Sequence, residues 1–502
     1  MSKVPLFTKL PDAWMVALLS EWLDLPSIGM LDTGVSSKKH RPQFLSSLRN
    51  MRSTSLGKFI CGSGGLYCPD SLGRWEQRLW RWLSVRRIHA GSFFLRCNSV
   101  RSDLVIPSMR KVTAESFEYV DLYYLIHNCP SLRFLSLELS SNNRVDYRGV
   151  EFPLSLEEFT FRGYSFTENS HSKSIFLVDV LRHCSHLQKV SLTGDALLSV
   201  DLDELLPYGH LFHELWFLCE VSTIGNPQII ANLLSKCSNL KKLRCDSDYD
   251  EQASVVVAVI YQCPLLKELV LASVLLFCQQ EHRLLVANIF SLINIHCNRL
   301  HRLTLERCEV SPWSLRILAG IECLKELILK NCDGLCPEGM TELGTMKLTK
   351  LSLINDTNIA GYCGVTESSL HSLLVGSNIS QTLELFNLSI FNITATLDDV
   401  QVATALSSCH QLKSLAVPWG GGTGCVFGRN GLGGLEAMAT GCPLLADINL
   451  DLTASGVHYV GTHFTNLQSC KITLQNKFPT GGFLSAEVLQ TLYPLVKWTY
   501  GY

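Results

Sequence analysis

The sequence predicts an α/β fold, a solenoid with a curved parallel sheet on its inner wall and helices on its outer wall, preceded by a small helical module. Three observations carry this. A run of the form C-x-x-L-x-x-L-x-L recurs at intervals of 22 to 34 residues. The segments between copies carry apolar residues at helical spacing, as in Ile175 to Cys184, Gln228 to Cys237 and Val400 to Cys409. The first 105 residues do not follow the repeat.

The clearest copies are Cys129/Leu132/Leu135/Leu137, Cys184/Leu187/Val190/Leu192 and Cys263/Leu266/Leu269/Leu271, with two more at Cys297/Leu300/Leu303/Leu305 and Cys442/Leu445/Ile448/Leu450. Weaker ones begin near Leu156, Phe212, Leu240, Leu324, Leu348, Ser380, Leu412 and Leu467. Together they make thirteen units with the leucine-rich-repeat signature. The physical basis is simple. In L-x-x-L-x-L the last two apolar residues lie two apart, so an extended chain turns both to one face. A strand of about four residues cannot bury that face alone, but stacked neighbours can, which makes one continuous core.

Twenty cysteines would be unusual in a chain of 502 residues, yet seven of them (Cys129, Cys184, Cys237, Cys263, Cys297, Cys409 and Cys442) stand three residues before a repeat's first apolar position or its equivalent. Cys308 and Cys332 fall three residues after a strand's last Leu. Thiols locked to a repeat in this way read as small buried hydrophobes. A zinc site would need clustered pairs, and Cys61-x6-Cys68 is the nearest approach. No metal and no cofactor is expected.

Composition narrows the function classes. A formal net charge of −2 and a pI near 6.7 give no polybasic footprint, so neither nucleic acid nor an anionic membrane is an expected partner. Mean hydropathy is +0.17, yet the longest apolar stretches, such as Leu269 to Cys278, fall far short of the roughly 18 residues of a membrane span. Met1 to Pro11 lacks the apolar run of a secretory signal, which points to a cytoplasmic or nuclear protein. The sequons at Asn355, Asn378, Asn387 and Asn392 are then coincidental.

Leu10-Pro11 opens an amphipathic stretch with apolar residues at 14, 15, 18, 19, 22 and 23, closed by Leu23-Asp24-Leu25-Pro26. Short helices over 26–31 and 43–51 would complete a compact trio. Leu10-Pro11-x(7)-Leu19-x(3)-Leu23-Asp24-x(3)-Ile28 approximates the L-P-x(6)-L-x-x-L-D-x-x-x-I frame of the F-box, with one residue more in each of its first two gaps, and this stretch resembles that family. With the repeats, the likeness to F-box/leucine-rich-repeat proteins of the cysteine-containing subtype spans about 10–50 and 110–475. The family's Val-Cys-(Lys/Arg)-x-Trp run is replaced here by Leu31-Asp-Thr-Gly-Val-Ser-Ser-Lys-Lys-His-Arg41. The resemblance implies a substrate-recruiting subunit of a Skp/cullin-type ubiquitin ligase. Leu10, Pro11, Leu19, Leu23 and Ile28 would meet the Skp-type adaptor, and through it a cullin, while the solenoid holds a protein substrate. The alternative is a scaffold subunit of a stable assembly with a degenerate F-box.

The expected organisation is an F-box-like module over 1–50, a linker and N-terminal cap over 51–109, the solenoid over 110–475 and a C-terminal cap over 476–502. Trp75, Trp80 and Trp82, interleaved with arginines, read as part of the first cap. Ala486 to Leu495 reads as a closing helix, with Trp498, Tyr500 and Tyr502 on or near it.

No catalytic motif is present in the sequence, and the chain is expected not to be an enzyme. Trp419-Gly-Gly-Gly-Thr-Gly424 lies where a phosphate loop would, but lacks the Gly-Lys-(Ser/Thr) ending, and reads as a Gly-rich loop on the rim. A partner is expected on the concave wall, among the residues that flank the strand leucines. These are Trp216, Lys242, Arg244, Arg302, Ile328, Lys330 and Lys350, with Trp419 at the rim. Trp216, a large aromatic on an otherwise polar strand face, is the expected hot spot.

Overall fold

In this computed structural model the described residues are 92–96, 111–121, 129–146, 154–163, 170–194, 202–219, 227–247, 260–272, 282–308, 310–332, 334–355, 365–390, 397–417, 425–473, 489–491, 493–494 and 496–501. The F-box-like stretch, with Leu10, Pro11, Leu19, Leu23 and Ile28, lies outside them, as do the Trp75 to Trp82 segment and Trp419. The chain divides into two compact units, Met1–Phe217 and Leu218–Tyr502.

The first unit carries β1 (Ser92–Arg96), β2 (Lys111–Asp121), β3 (Phe134–Asp146), β4 (Glu158–Gly163), β5 (Lys189–Gly194) and all but the last two residues of β6 (Phe212–Cys219). Each strand pairs in parallel with the next. Helices α1 (Ser170–His183) and α2 (Leu202–Leu205) lie between strands.

The second unit repeats the pattern more regularly. Its strands are β7 (Lys242–Ser247), β8 (Glu268–Ala272), β9 (Arg302–Glu306), β10 (Glu326–Lys330), β11 (Lys350–Asn355), β12 (Leu385–Ile390), β13 (Ser414–Val417), β14 (Asp447–Leu450), β15 (Ser469–Thr473) and β16 (Lys497–Gly501). All pairings are parallel and in sequence order. The intervening helices are α3 (Pro227–Lys236), α4 (His282–His296), α5 (Pro312–Ala319), α6 (Pro337–Gly344), α7 (Glu367–Leu374), α8 (Asn378–Thr382), α9 (Asp399–Leu406), α10 (Gly433–Gly441) and α11 (Ala454–His463). The expected helices before Cys184, Cys237 and Cys409 are α1, α3 and α9. In the first unit β1 pairs with β2, and in the second β16 pairs with β15.

The C-x-x-L spacing has a specific cause. In seven copies the Cys carbonyl accepts the N–H of the residue three further on, the repeat's first Leu, as in Leu132 to Cys129 and Leu300 to Cys297 (both 3.0 Å). Each C-x-x-L is therefore a tight turn that delivers the chain from the outer segment into a strand. Pro130, Pro264 and Pro443 occupy the second turn position, where their fixed φ suits the bend. The cysteines themselves are buried, each at most 2% exposed.

The strand leucines fill the core as the spacing requires: Leu269, Leu271, Leu303, Leu305, Leu327 and Leu351 are fully buried. Helix starts are capped locally, by Ser311 on α5, a Thr366/Ser369 capping box on α7, Asp398 on α9 and Thr453 on α11. After β9 and β10 the chain turns through left-handed conformations at Arg307 (φ 55) and Asn331 (φ 52). Their N–H groups donate to Lys330 O and Ile354 O in the next strand, which holds the two turns to their neighbours.

One repeat position differs from the sequence reading. The copy placed near Ser380 begins at Leu383, because Ser380 is inside α8, capped by Ser377, while Leu383, Phe386 and Leu388 supply the buried frame. At the C-terminal end Trp498 is a buried strand residue of β16. Tyr493 lies 5.7 Å from its ring and seats against Gly461 of α11, where a Cβ would meet the tyrosine ring at 2.8 Å.

Candidate functional site

Side chains alternate along each strand, so the residues between the buried leucines form an open face. In the second unit the register stacks them into rows. The first row runs Lys242, Glu268, Arg302, Glu326, Lys350 across β7 to β11. The second runs Arg244, Val270, Thr304, Ile328, Ser352, and Glu306 and Lys330 are neighbours in the third.

In the first row the charges alternate, and neighbouring strands in a sheet are about 4.8 Å apart, which brings opposite charges into contact. Glu268 Oε2 lies 3.2 Å from Lys242 Nζ and 3.3 Å from Arg302 Nη1. Glu326 accepts from Arg302 Nε at 2.5 Å and lies 2.7 Å from Lys350 Nζ. Glu306 takes Arg244 Nη2 at 2.9 Å and Lys330 Nζ at 3.0 Å. Each carboxylate thus serves two cations. Burial alone would raise the Glu326 carboxyl, but the hydrogen bonds and charges of Arg302 and Lys350 outweigh it and hold it below the usual glutamate range.

Lys242, Arg244, Arg302, Lys330 and Lys350 lie on the open face and are tied to one another through glutamates. The carboxylates lie deeper: the side chains of Glu306 and Glu326 are 15% and 19% exposed, those of Lys242 and Lys350 47% and 45%. Between the charged rows runs a half-buried, uncharged strip, Val270, Thr304, Ile328 and Ser352.

Trp216 stands on the open face of β6 in the first unit, half-buried. Its ring is covered by the Arg162 guanidinium at 5.5 Å from the centroid, a contact that reaches across β5 and so is invisible to residue spacing along the chain.

The Gly-rich segment is described from Cys425 onward. Asp399, buried in the first turn of α9, accepts the N–H of Gly428 (2.9 Å) and Arg429 (3.1 Å) and the side-chain amide of Asn430 (2.8 Å). The backbone donors of residues 428–430 hold a carboxylate of the chain itself in a clamped turn, while the Gly-rich run Trp419 to Gly424 lies outside the described residues. No three His, Cys, Asp or Glu side chains gather as a metal site among the described residues. No helix among them is long and apolar enough to cross a membrane.

No protein-family model matches the chain, and no curated protein matches it. Solved structures similar to it include an internalin, InlF, from Listeria monocytogenes str. 4b F2365, at 14% identity and a TM-score of 0.35, covering 84% of this chain and all of that one. Another is TLR13 in complex with ssRNA13, at 13% identity and a TM-score of 0.44, covering 78% of this chain and 61% of that one.

Proposed function

We propose that this chain is a non-enzymatic leucine-rich-repeat protein that holds a protein partner on the open face of its parallel sheet. The observation that carries the reading is the strip Val270, Thr304, Ile328 and Ser352. It is an uncharged, partly apolar band fixed on a rigid sheet and bordered by ion-paired rows, the arrangement of an interface centre inside a polar rim. In its specific form the reading is a substrate-recruiting subunit of a Skp/cullin-type ubiquitin ligase. Support comes from Leu10, Pro11, Leu19, Leu23 and Ile28, which approximate the F-box frame and would dock the adaptor. Such a protein works in the cytoplasm or nucleus. The second reading is a scaffold subunit of a stable assembly. It is favoured by Leu31 to Arg41, which stands where the family carries its Val-Cys-(Lys/Arg)-x-Trp run.

Affinity purification of the full chain and two variants tests both levels. Leu19→Asp with Leu23→Asp puts charge on a face that must be desolvated, and is expected to release the Skp adaptor while substrate stays bound. Ile328→Asp is expected to do the reverse. A wild-type chain that retains a stable partner set but never the adaptor selects the scaffold reading. A partner set unchanged by Ile328→Asp, with an unchanged melting temperature, overturns the open face as the binding surface.

A further inference from the structure

We infer that the partner segment held along the leading edge of β7 to β11 is an acidic, extended stretch of polypeptide. The inference rests on the reading of this face as protein-binding and names the chemistry it selects. Just before β7, β8 and β10 stand Lys241, Lys267 and Lys325, all exposed. They occupy equivalent positions in their repeats, and their spacing is set by backbone hydrogen bonds. Lys241 O accepts the N–H groups of Lys267 and Glu268, Lys267 O those of His301 and Arg302, His301 O those of Lys325 and Glu326, and Lys325 O those of Thr349 and Lys350. The lysines are thus the first, second and fourth posts of one ladder.

Directly behind Lys241, Lys267 and Lys325 lie Lys242, Glu268 and Glu326 of the first row, with Arg302 and Lys350 of the same row behind His301 and Thr349. This edge therefore carries six cations against two carboxylates, a local excess of four positive charges on a chain whose formal net charge is −2. The two carboxylates are also the less exposed partners of their ion pairs, at 29% and 19% for the side chains against 39% to 47% for the cations. What faces solvent is mostly ammonium.

Spacing and chemistry favour a peptide over a polynucleotide. Five strands at about 4.8 Å span roughly six residues of extended chain, which offers alternate side chains to one side. Aspartates or glutamates of such a segment can be spaced to meet Lys241, Lys267 and Lys325, which are more exposed than the neighbouring Glu268 and Glu326, whereas evenly spaced phosphates cannot be set to the lysines one by one. Of the residues named on this edge only His301 carries an aromatic ring, too few for the successive stacking platforms that a single strand of nucleic acid uses.

The test uses the full chain and labelled probes in fluorescence anisotropy: oligoglutamate, oligolysine, and oligothymidylate of the same charge as the oligoglutamate. Oligoglutamate is expected to bind, with affinity that falls steeply with salt and drops roughly tenfold in a Lys241→Gln, Lys267→Gln, Lys325→Gln variant. Glu268→Gln is expected to tighten it, a change of sign that a purely structural ion pair would not give. Melting temperatures check that the variants are folded. Oligothymidylate binding as tightly as oligoglutamate, no oligoglutamate binding, or binding indifferent to the three lysines would each overturn the inference. If any of these occurs while Ile328→Asp still strips the partner set, the acidic-segment inference alone has failed. If Ile328→Asp changes nothing, the protein-binding reading has failed with it.

Discussion

Arg244 on β7 reaches over the whole of β8 to place its Nη2 2.9 Å from Glu306 Oε2 on β9, a contact between residues 62 apart in sequence. The span is open because the residues it crosses, Val270 and Ala272, are short. Arg162 and Trp216 do the same in the first unit, across β5. A long cation bridging two strands ties three consecutive repeats together, where ordinary pairing joins only two.

That relationship predicts coupling beyond the nearest neighbour. Arg244→Ala and Glu306→Ala, singly and together, are expected to yield an interaction energy of about 0.5 to 1.5 kcal/mol in a double-mutant cycle followed by chemical denaturation. Lys330→Ala should couple to Glu306→Ala more weakly, since its side chain is more exposed than that of Arg244. Strictly additive losses for Arg244 and Glu306 would mean the pair contributes no stability.

The repeat frame made most of this fold legible. Period-two apolar spacing fixes which side chains are buried, and the seven cysteines mark the turns in advance because each must sit where the outer segment bends into a strand. Ser380 shows the limit. Ser377 and Ser380 can serve a helix cap as readily as a strand approach, and only the burial of Leu383 and Phe386 decides between them. The open-face residues could be named from the frame, but their partners could not. Whether Lys242 meets Glu268 depends on register between strands, and Arg244 with Glu306 depends on what lies between them.

Register also predicts how the second unit responds to acid. Glu326 is held below the usual glutamate range in the folded chain, despite the opposing effect of burial. A carboxyl depressed on folding stabilises the fold above its unfolded pKa, about 4.3, and that contribution is lost as pH falls through the lower folded value. Denaturant midpoints are expected to be flat from neutral pH to about 5 and to fall below about 4.3. Glu326→Gln should start lower at neutral pH and decline less on acidification. A variant with the same acid slope as the wild type would show that Glu326 is not responsible.

Thiol chemistry should separate the cysteines by burial. Burial pushes Cys129 and Cys184 up to about 12, and Cys263, Cys297, Cys409 and Cys442 likewise. At pH 8 roughly one in ten thousand of such groups is a thiolate, the form that reacts. Among the described residues Cys323 and Cys336 are only partly buried and are expected to be labelled first by iodoacetamide, as read by peptide mass spectrometry. Rapid labelling of Cys184, Cys263 or Cys442 in the native protein would contradict their place in the core.

Asp399 gives the most local prediction. Its carboxylate stands in the first turn of α9, where the helix end favours negative charge, and it collects the N–H groups of Gly428 and Arg429 together with the Asn430 amide. Gly428 has a φ of 85, and a Cβ there would meet Thr453 Oγ1 at 2.6 Å, so the turn depends on glycine as well as on the carboxylate. Removing the acceptor leaves several donors to find water or remain unmet, at about 1 to 3 kcal/mol for each that stays buried. Asp399→Ala is expected to erase amide-exchange protection at Gly428 and Arg429 while leaving β9 and β10 protected, because each repeat leans chiefly on its neighbours. Asp399→Asn keeps one acceptor oxygen and should restore part of it. Full protection of both amides in the alanine variant would show that the turn is held by something other than Asp399.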